Sequence, residues 1–325
     1  MLKLSGDIHE GGGQILRTAL ALSARTGKAF QLRRIRAGRS RPGLQAQHLA
    51  AVRLAQQLCD ARLEGASKGS QELSFRPGPL YSGDFAVDIG TAGSMTLLLQ
   101  ASFWALAACP GISTVEVKGG SDVAWSPPLD YIEQVTLPLY RQLADIETLE
   151  SRRGFFPKGG GLWRFQVSPK LPQELDLAGP PQWAEISARV VATVDMQERR
   201  VVERIQDRLE VASFQGEYVR SPSSGVALVL WTESGVLRCG ATGLGEKGKS
   251  AERLAEETAA LLHHRMAASE AVEEHLADQL IPLLALVGGR MHCQEISPHC
   301  LANLEVVEAF LGPRIHRRGK LLTAQ

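Results

Sequence analysis

The stretch Ile296-Ser297-Pro298-His299-Cys300 sets a histidine directly after a serine–proline pair. Serine is a favoured N-cap and proline a favoured first helical residue, so His299 is expected in the first turn of a helix. The helix dipole there favours anions and disfavours an imidazolium. With an ordinary pKa of about 6.5, the ring is already mostly neutral near pH 7. Neutral imidazole is the nucleophilic form, which makes His299 a candidate for attack on phosphorus. A histidine alone is more often structural, and its weight comes from its company.

That company is partly Gly-rich. Glu10-Gly11-Gly12-Gly13-Gln14-Ile15-Leu16-Arg17 puts three glycines before a helix start, where backbone N–H groups can meet a phosphate. Gln14 and Arg17 lie three apart on that helix and share a face. Glu10 stands at its mouth, where a carboxylate suits a divalent cation bridging to phosphate oxygens. A plain Gly-rich turn is the competing reading. Ile89-Gly90-Thr91-Ala92-Gly93-Ser94 has the same form, with Gln100 the polar exception in the apolar helix that follows. Close packing explains its small residues equally well. Gly154-Phe155-Phe156-Pro157-Lys158-Gly159-Gly160-Gly161 reads as a hairpin turn carrying one lysine.

Two charged sets complete the inventory. Arg33 to Arg41 holds five arginines in nine positions, a candidate for binding a polyanion or else a solvated strand and turn. His275, Asp278 and Gln279 fall at i, i+3 and i+4, beside the apolar stripe Val272, Leu276, Leu280, Leu283. A ring, a carboxylate and an amide on one face can hold a nucleoside, and a solvated helix face is the alternative. Gly243-Leu244-Gly245-Glu246-Lys247-Gly248-Lys249-Ser250 matches the phosphate-loop pattern GxxxxGK[ST]. It comes too late in the chain to leave a doubly wound sheet behind it, and no later strand offers a magnesium-binding aspartate. A chance match is the better reading.

These residues need a scaffold, and the chain supplies one by repetition. After Gly13 a helical pattern runs to about Arg25, then a strand over Phe30–Arg36, a helix carrying Leu49, Val52 and Leu58, and two short strands. The order recurs from Phe85, with one helix expected over Leu129–Leu143, and more briefly from Ala271 to Leu322. The fold class is therefore α/β (α+β): three β-α-β-α-β-β units of roughly eighty residues. Residues 1–174 and 268–325 are expected to form the main domain, with 175–267 an inserted small α/β domain. Hydrophobic content of 44%, a net charge of +1 and the absence of a long apolar run fit a globular chain with no membrane segment, and argue against a globally basic nucleic-acid binder. Five scattered cysteines without a CxxC pair suit reduced thiols in the cytoplasm.

Taken together, EGGGQILR, RAGRSRPGLQAQHL, IGTAGSMTLLLQ, FFPKGGG, HLADQL and SPHCLANLEVVEAF resemble the RNA 3′-terminal phosphate cyclase signature blocks, in order from Glu10 to Phe310. The resemblance implies three such repeats with a small domain inserted before the last. It implies ATP, a divalent metal (magnesium or manganese) and RNA ending in a 3′-phosphate as reaction partners. It implies His299 as a nucleophile that takes up AMP, Glu10 as the metal- and ATP-associated carboxylate, and Gln14 and Arg17 beside it. Gln100, His275, Asp278 and Gln279 then belong to the nucleotide site, and Arg36, Arg39 and Gln47 to the substrate groove. Three positions depart from the pattern: His275 where bacterial relatives usually have tyrosine, His9 where glycine usually precedes EGGG, and the stretch around Trp125. A non-catalytic cyclase-like assembly factor would lack the histidine at 299. An enolpyruvyl transferase would need a lysine-rich anion site.

Overall fold

The computed structural model describes residues 1–9, 11–194 and 200–325. The first unit runs through β1 (Leu2–Ser5), α1 (Gln14–Thr26), β2 (Phe30–Arg33), α2 (Ala46–Cys59), β3 (Arg62–Glu64) and β4 (Leu73–Arg76). The second runs through β5 (Asp84–Asp88), α3 (Met95–Leu106) and β6 (Ser113–Gly119). It continues with α4 (Leu129–Tyr131), a π turn at Ile132–Thr136, α5 (Leu137–Tyr140), β7 (Ala144–Arg152) and β8 (Gly161–Pro169). After β9 (Leu175–Leu177) the chain leaves for a different unit: β10 (Ser187–Thr193), α6 (Val201–Gln206), β11 (Ser213–Val219), β12 (Val226–Ser234), β13 (Leu237–Leu244) and α7 (Ala251–Met266). It returns as α8 (Glu274–Val287), β14 (Gly289–His292), α9 (Pro298–Leu311), β15 (Ile315–Arg318) and β16 (Leu321–Ala324).

Three of the sheets share one plan. Their strand orders are β1-β2-β4-β3, β5-β6-β8-β7 and β9-β14-β16-β15. In each the first pair is parallel and the other two pairs are antiparallel. A parallel neighbour requires a crossover, which α1, α3 and α8 supply. Short β9 thus holds the first position of the third sheet, and the β10–α7 unit lies between it and its crossover helix.

The helices meet in the middle. α3 has eleven of twelve residues buried, leaving Gln100 half-exposed, as befits a helix that is apolar on nearly every side. Phe103 and Trp104 of α3 pack on Tyr140 with ring centroids 4.5 and 4.8 Å apart. The β10–α7 unit has its own core around Val190, Ile205, Leu228, Leu230, Leu254 and Leu262. A buried charge group joins it to the second unit: Arg153 Nη2 lies 2.6 Å and Arg189 Nε 2.9 Å from Asp130 Oδ1, with Asp122 3.5 Å from Arg153.

Two sequence expectations are corrected. The strand expected over Phe30–Arg36 ends at Arg33, because Arg34 and Arg36 adopt left-handed φ values of 54° and 52°, which break a β ladder. The single helix expected over Leu129–Leu143 is interrupted. Pro138 has no N–H for the Gln134 carbonyl, and Leu137 N instead donates to the Ile132 carbonyl five residues back. Among the described residues no helix is long and apolar enough to cross a membrane. All five cysteines are buried free thiols.

Candidate active site

α9 begins as its sequence dictates: Ser297 Oγ accepts from Cys300 N at 3.2 Å and Pro298 opens the first turn. His299 therefore sits half-exposed at the positive end of the helix. The Gly-rich turn before α1 passes in front of it. A Cβ at Gly12 would lie 3.5 Å from His299 Cε1 and 3.6 Å from Arg39 Nη2, so histidine and arginine both approach that backbone. At Gly13 an added Cβ would run into the His48 ring and approach Arg17 Nη1 to 3.1 Å. The glycines are what let the turn come this close.

Deeper in, one narrow cleft is lined by Gln14, Arg17 and Thr18 of α1, Gln100 and Trp104 of α3, Tyr140, Asp278 and Gln279 of α8, and Asn303 of α9. Its walls are tied together: Thr18 Oγ1 donates to Asn303 Oδ1 (2.8 Å), and Asn303 Nδ2 donates to the Asp278 carbonyl (2.6 Å). Arg17 Nε is buried with no hydrogen-bond partner. Burial lowers the Arg17 pKa to about 10, with Asp278 and Tyr140 acting in the opposite sense. A buried guanidinium edge with an unmet donor is a natural seat for an anion or a strong acceptor.

The expected residues separate into groups. Gln14, Arg17, Gln100, Asp278 and Gln279 share the cleft, while Arg39 and His299 meet at Gly12. Gln47 sits at the second Gly-rich turn, where its Oε1 accepts from Ser94 N at 2.8 Å. Arg36 shapes its own loop, donating to the carbonyls of Arg41 (2.6 Å) and Gly43 (3.2 Å). Arg33 and Arg34 pair with Glu72 and Asp7. The Gln279 amide is engaged at both ends, donating to the His275 carbonyl and accepting from Thr136 Oγ1. The His275 ring is 65% exposed at the rim, 3.2 Å from Glu274. Beneath it, buried Glu273 caps α8, accepting from His275 N and Leu276 N and from the Tyr131 hydroxyl.

Glu10 lies outside the described residues, and with it the expected metal position. Among the described residues no three His, Cys, Asp or Glu side chains gather to hold a cation. The phosphate-loop match is a turn closing β13 against α7. Ser250 caps α7, and Lys249 Nζ reaches along the helix to Glu257 (2.8 Å).

The structure gives two further histidines a place. His48 lies one residue past Gln47, at a capping-box position of α2, and its Nδ1 accepts from Gln45 N at 3.1 Å. That leaves Nε2 toward Gly13. Burial lowers the His48 pKa to about 3, with Arg17 and Arg36 adding to the effect. The one sequence signal for it was a histidine on a largely apolar helix face. His9 takes φ 53°, which explains why glycine is usual there, and its Nε2 meets Glu305 of α9 at 2.8 Å.

The sequence matches a family profile and many known proteins along its length. A family profile described as RNA 3′-terminal phosphate cyclase matches residues 8–316. A protein of that name from Archaeoglobus fulgidus is 39% identical, the alignment covering 98% of each chain. Counterparts of the same name from Pyrococcus furiosus and Methanopyrus kandleri are 37% and 40% identical, each covering 98% of this chain and 96% of the relative. With the profile spanning nearly the whole chain and relatives of that name aligned over almost their full length, the chain belongs to the RNA 3′-terminal phosphate cyclase family.

Proposed function

We propose that this chain converts an RNA 3′-terminal phosphate to a 2′,3′-cyclic phosphate at the expense of ATP, with His299 as the covalent carrier of AMP. The observation that carries the reading is the meeting of His299, Arg39 and the Gly12 backbone in front of a cleft holding Arg17 with an unmet donor.

A terminal phosphate is a poor electrophile, because its own oxygens are poor leaving groups. His299 attacks the α-phosphorus of ATP, forming an N–P bond as pyrophosphate departs. A terminal phosphate oxygen of the RNA then attacks the same phosphorus, freeing His299 and leaving AMP joined to the RNA end. The neighbouring 2′-hydroxyl attacks the RNA phosphorus, loses its proton and expels AMP. Arg17 and Arg39 stabilise negative charge as it develops, in a site where burial strengthens their effect. Gln14, Gln100, Asp278 and Gln279 position the nucleotide, with His275 at the rim, and Arg36, Gln47 and Arg39 serve the RNA end. A divalent cation at Glu10, magnesium or manganese, belongs to the same reading and would add charge neutralisation at the phosphates. Buried free thiols suit work in the cytoplasm.

The test lies in the substrate ends. With ATP, RNA ending in a 3′-phosphate should be cyclised and a 3′-hydroxyl end should be inert. A DNA 3′-phosphate should stop at the adenylated stage, since it has no 2′-hydroxyl. Cyclisation of a 3′-hydroxyl end, or no product from the 3′-phosphate, overturns the reading.

A further inference from the structure

The turn Gly154–Gly161 joins three parts of the molecule and leaves the side chains of Phe156, Pro157 and Lys158 exposed. Phe155 is buried in a small cluster with Val191 and Ala227 of the β10–α7 unit. Lys158 N donates to Ser223 Oγ at 3.0 Å, and Gly160 packs under Pro222. Gly159, at φ 69°, lies so close to the second Gly-rich turn that a Cβ would come within 2.9 Å of Ala92 Cα. Between these anchors Phe156 stands 72% exposed.

A second bare aromatic belongs to the same edge. Asp122 pairs with Phe155 through an isolated β-bridge, and Ser121 N donates to the Gly154 carbonyl at 2.8 Å. Three residues beyond Asp122, Trp125 is 99% exposed and holds a φ of 65°. A bulky residue in the left-handed region is strained, and among the described residues no packing of its ring offsets that strain. One exposed aromatic is ordinary on a protein surface. Two on one lip, beside exposed Lys158 and Arg220 with no acidic partner among the described residues, form a set with a common chemistry.

A chain of contacts links the lip to the first Gly-rich turn. Gly12 lies against His299 and Arg39, Gly13 against the His48 ring, the neighbouring Gln47 packs at Gly93 and accepts from Ser94 N, and Ala92 and Thr91 lie against Gly159. A strand whose 3′ end lies at His299 can follow this line outward to Phe156 and Trp125.

We propose that Trp125 and Phe156 are a stacking platform for nucleobases of single-stranded RNA upstream of the 3′-terminal phosphate, with Lys158 and Arg220 meeting its backbone phosphates. Every base has a π-face, so such a platform accepts any sequence. Charged groups on the phosphates add affinity that salt weakens. The inference rests on the cyclase reading for the direction of the strand, and its test does not depend on turnover.

The full-length protein is titrated into fluorescent 3′-phosphorylated RNA of ten nucleotides and of two, and polarisation is read. The comparison uses Trp125→Asn/Phe156→Ala, with asparagine chosen because it tolerates left-handed φ, and the aromatic pair Trp125→Phe/Phe156→Tyr. The wild type should bind the ten-mer more tightly than the dinucleotide. The first double variant should weaken the ten-mer about tenfold or more, leave the dinucleotide and transfer of AMP from ATP to the protein unchanged, and be rescued by the aromatic pair. An unchanged ten-mer Kd, an equal loss for the dinucleotide, a fall in AMP uptake, or no rescue overturns the platform. A protein that binds RNA through both rings but never cyclises it keeps this inference and refutes the cyclase reading.

Discussion

The first two units open their crossover helices in the same manner, a strand followed by a Gly-rich turn, but they close those helix starts differently. In the second unit Ser94 Oγ accepts from Leu97 N, Ser94 N donates to Gln47, and Met95 N donates to the Gly120 carbonyl. Protein groups fill that cradle. In the first unit α1 starts at Gly13 with no side-chain cap and no acidic residue in its first turn, among the described residues. Arg17, Arg39 and His299 surround it instead. One helix start is closed by hydrogen bonds within the protein, and the other is bordered by two arginines and a histidine, as the proposed nucleotide site requires.

Two buried arginines repeat the contrast. For Arg153, burial alone would lower the pKa, but Asp122 and Asp130 outweigh it and push the pKa up. Arg17 has an unmet Nε and a lowered pKa. Arg153→Met should therefore destabilise the protein by about 3–5 kcal/mol, since it leaves buried Asp122 without its cation and buried Asp130 with Arg189 alone. Denaturant melts would show this, and a loss below about 1 kcal/mol would break the comparison. Arg17→Met should behave the opposite way. Stability stays level or rises, while transfer of AMP to the protein falls about a hundredfold. A large loss of stability with activity per folded molecule intact would place Arg17 with Arg153.

His48 sharpens the picture through pH. Its folded pKa of about 3 lies below the ordinary value of about 6.5, so the unfolded chain takes up a proton first as pH falls. Stability from this group is full above pH 6.5 and drains away toward pH 3, at about 1.4 kcal/mol per unit. Between pH 6.5 and 4.5 the loss should approach 2–3 kcal/mol, and His48→Gln should flatten that slope. Equal slopes in both proteins would remove His48 from the account.

Smaller effects follow at the closed turn and the false phosphate loop. Ser94→Ala should cost about 1 kcal/mol in stability by uncapping α3, with AMP uptake per folded molecule preserved. A selective loss of uptake would mean that the second turn also serves the ligand. Lys249→Ala should shift stability by less than about 0.5 kcal/mol and leave ATP reactivity intact, since Lys249 pairs with Glu257 at the surface.

Much of this could be read from the chain because glycine, serine and proline act locally. The SPH start of α9 and the strand–turn–helix pattern of the first two units depend on neighbours in sequence. What could not be read depends on distant partners. Thr18 meets Asn303 across 285 residues, and nothing near either predicts it. β11 is a polar edge strand, exposed along much of its length, and three-residue β9 gains its place only by pairing with β14. Pro138 was visible, but its effect emerged as a π turn inside a helical stretch rather than as an end. The arginine-rich segment read either as a candidate for holding a polyanion or as a solvated strand and turn, and its side chains divide among Glu72, Asp7, the loop's own carbonyls and the Gly12 turn.

The most direct test of the open first cradle is to incubate the protein with ATP labelled at the α-phosphate and locate the label by digestion and mass spectrometry. Label should appear on the peptide carrying His299, be lost in acid and survive base, vanish in His299→Asn and persist in Lys249→Ala. Label that survives His299→Asn, or that disappears only with Lys249→Ala, would contradict the account.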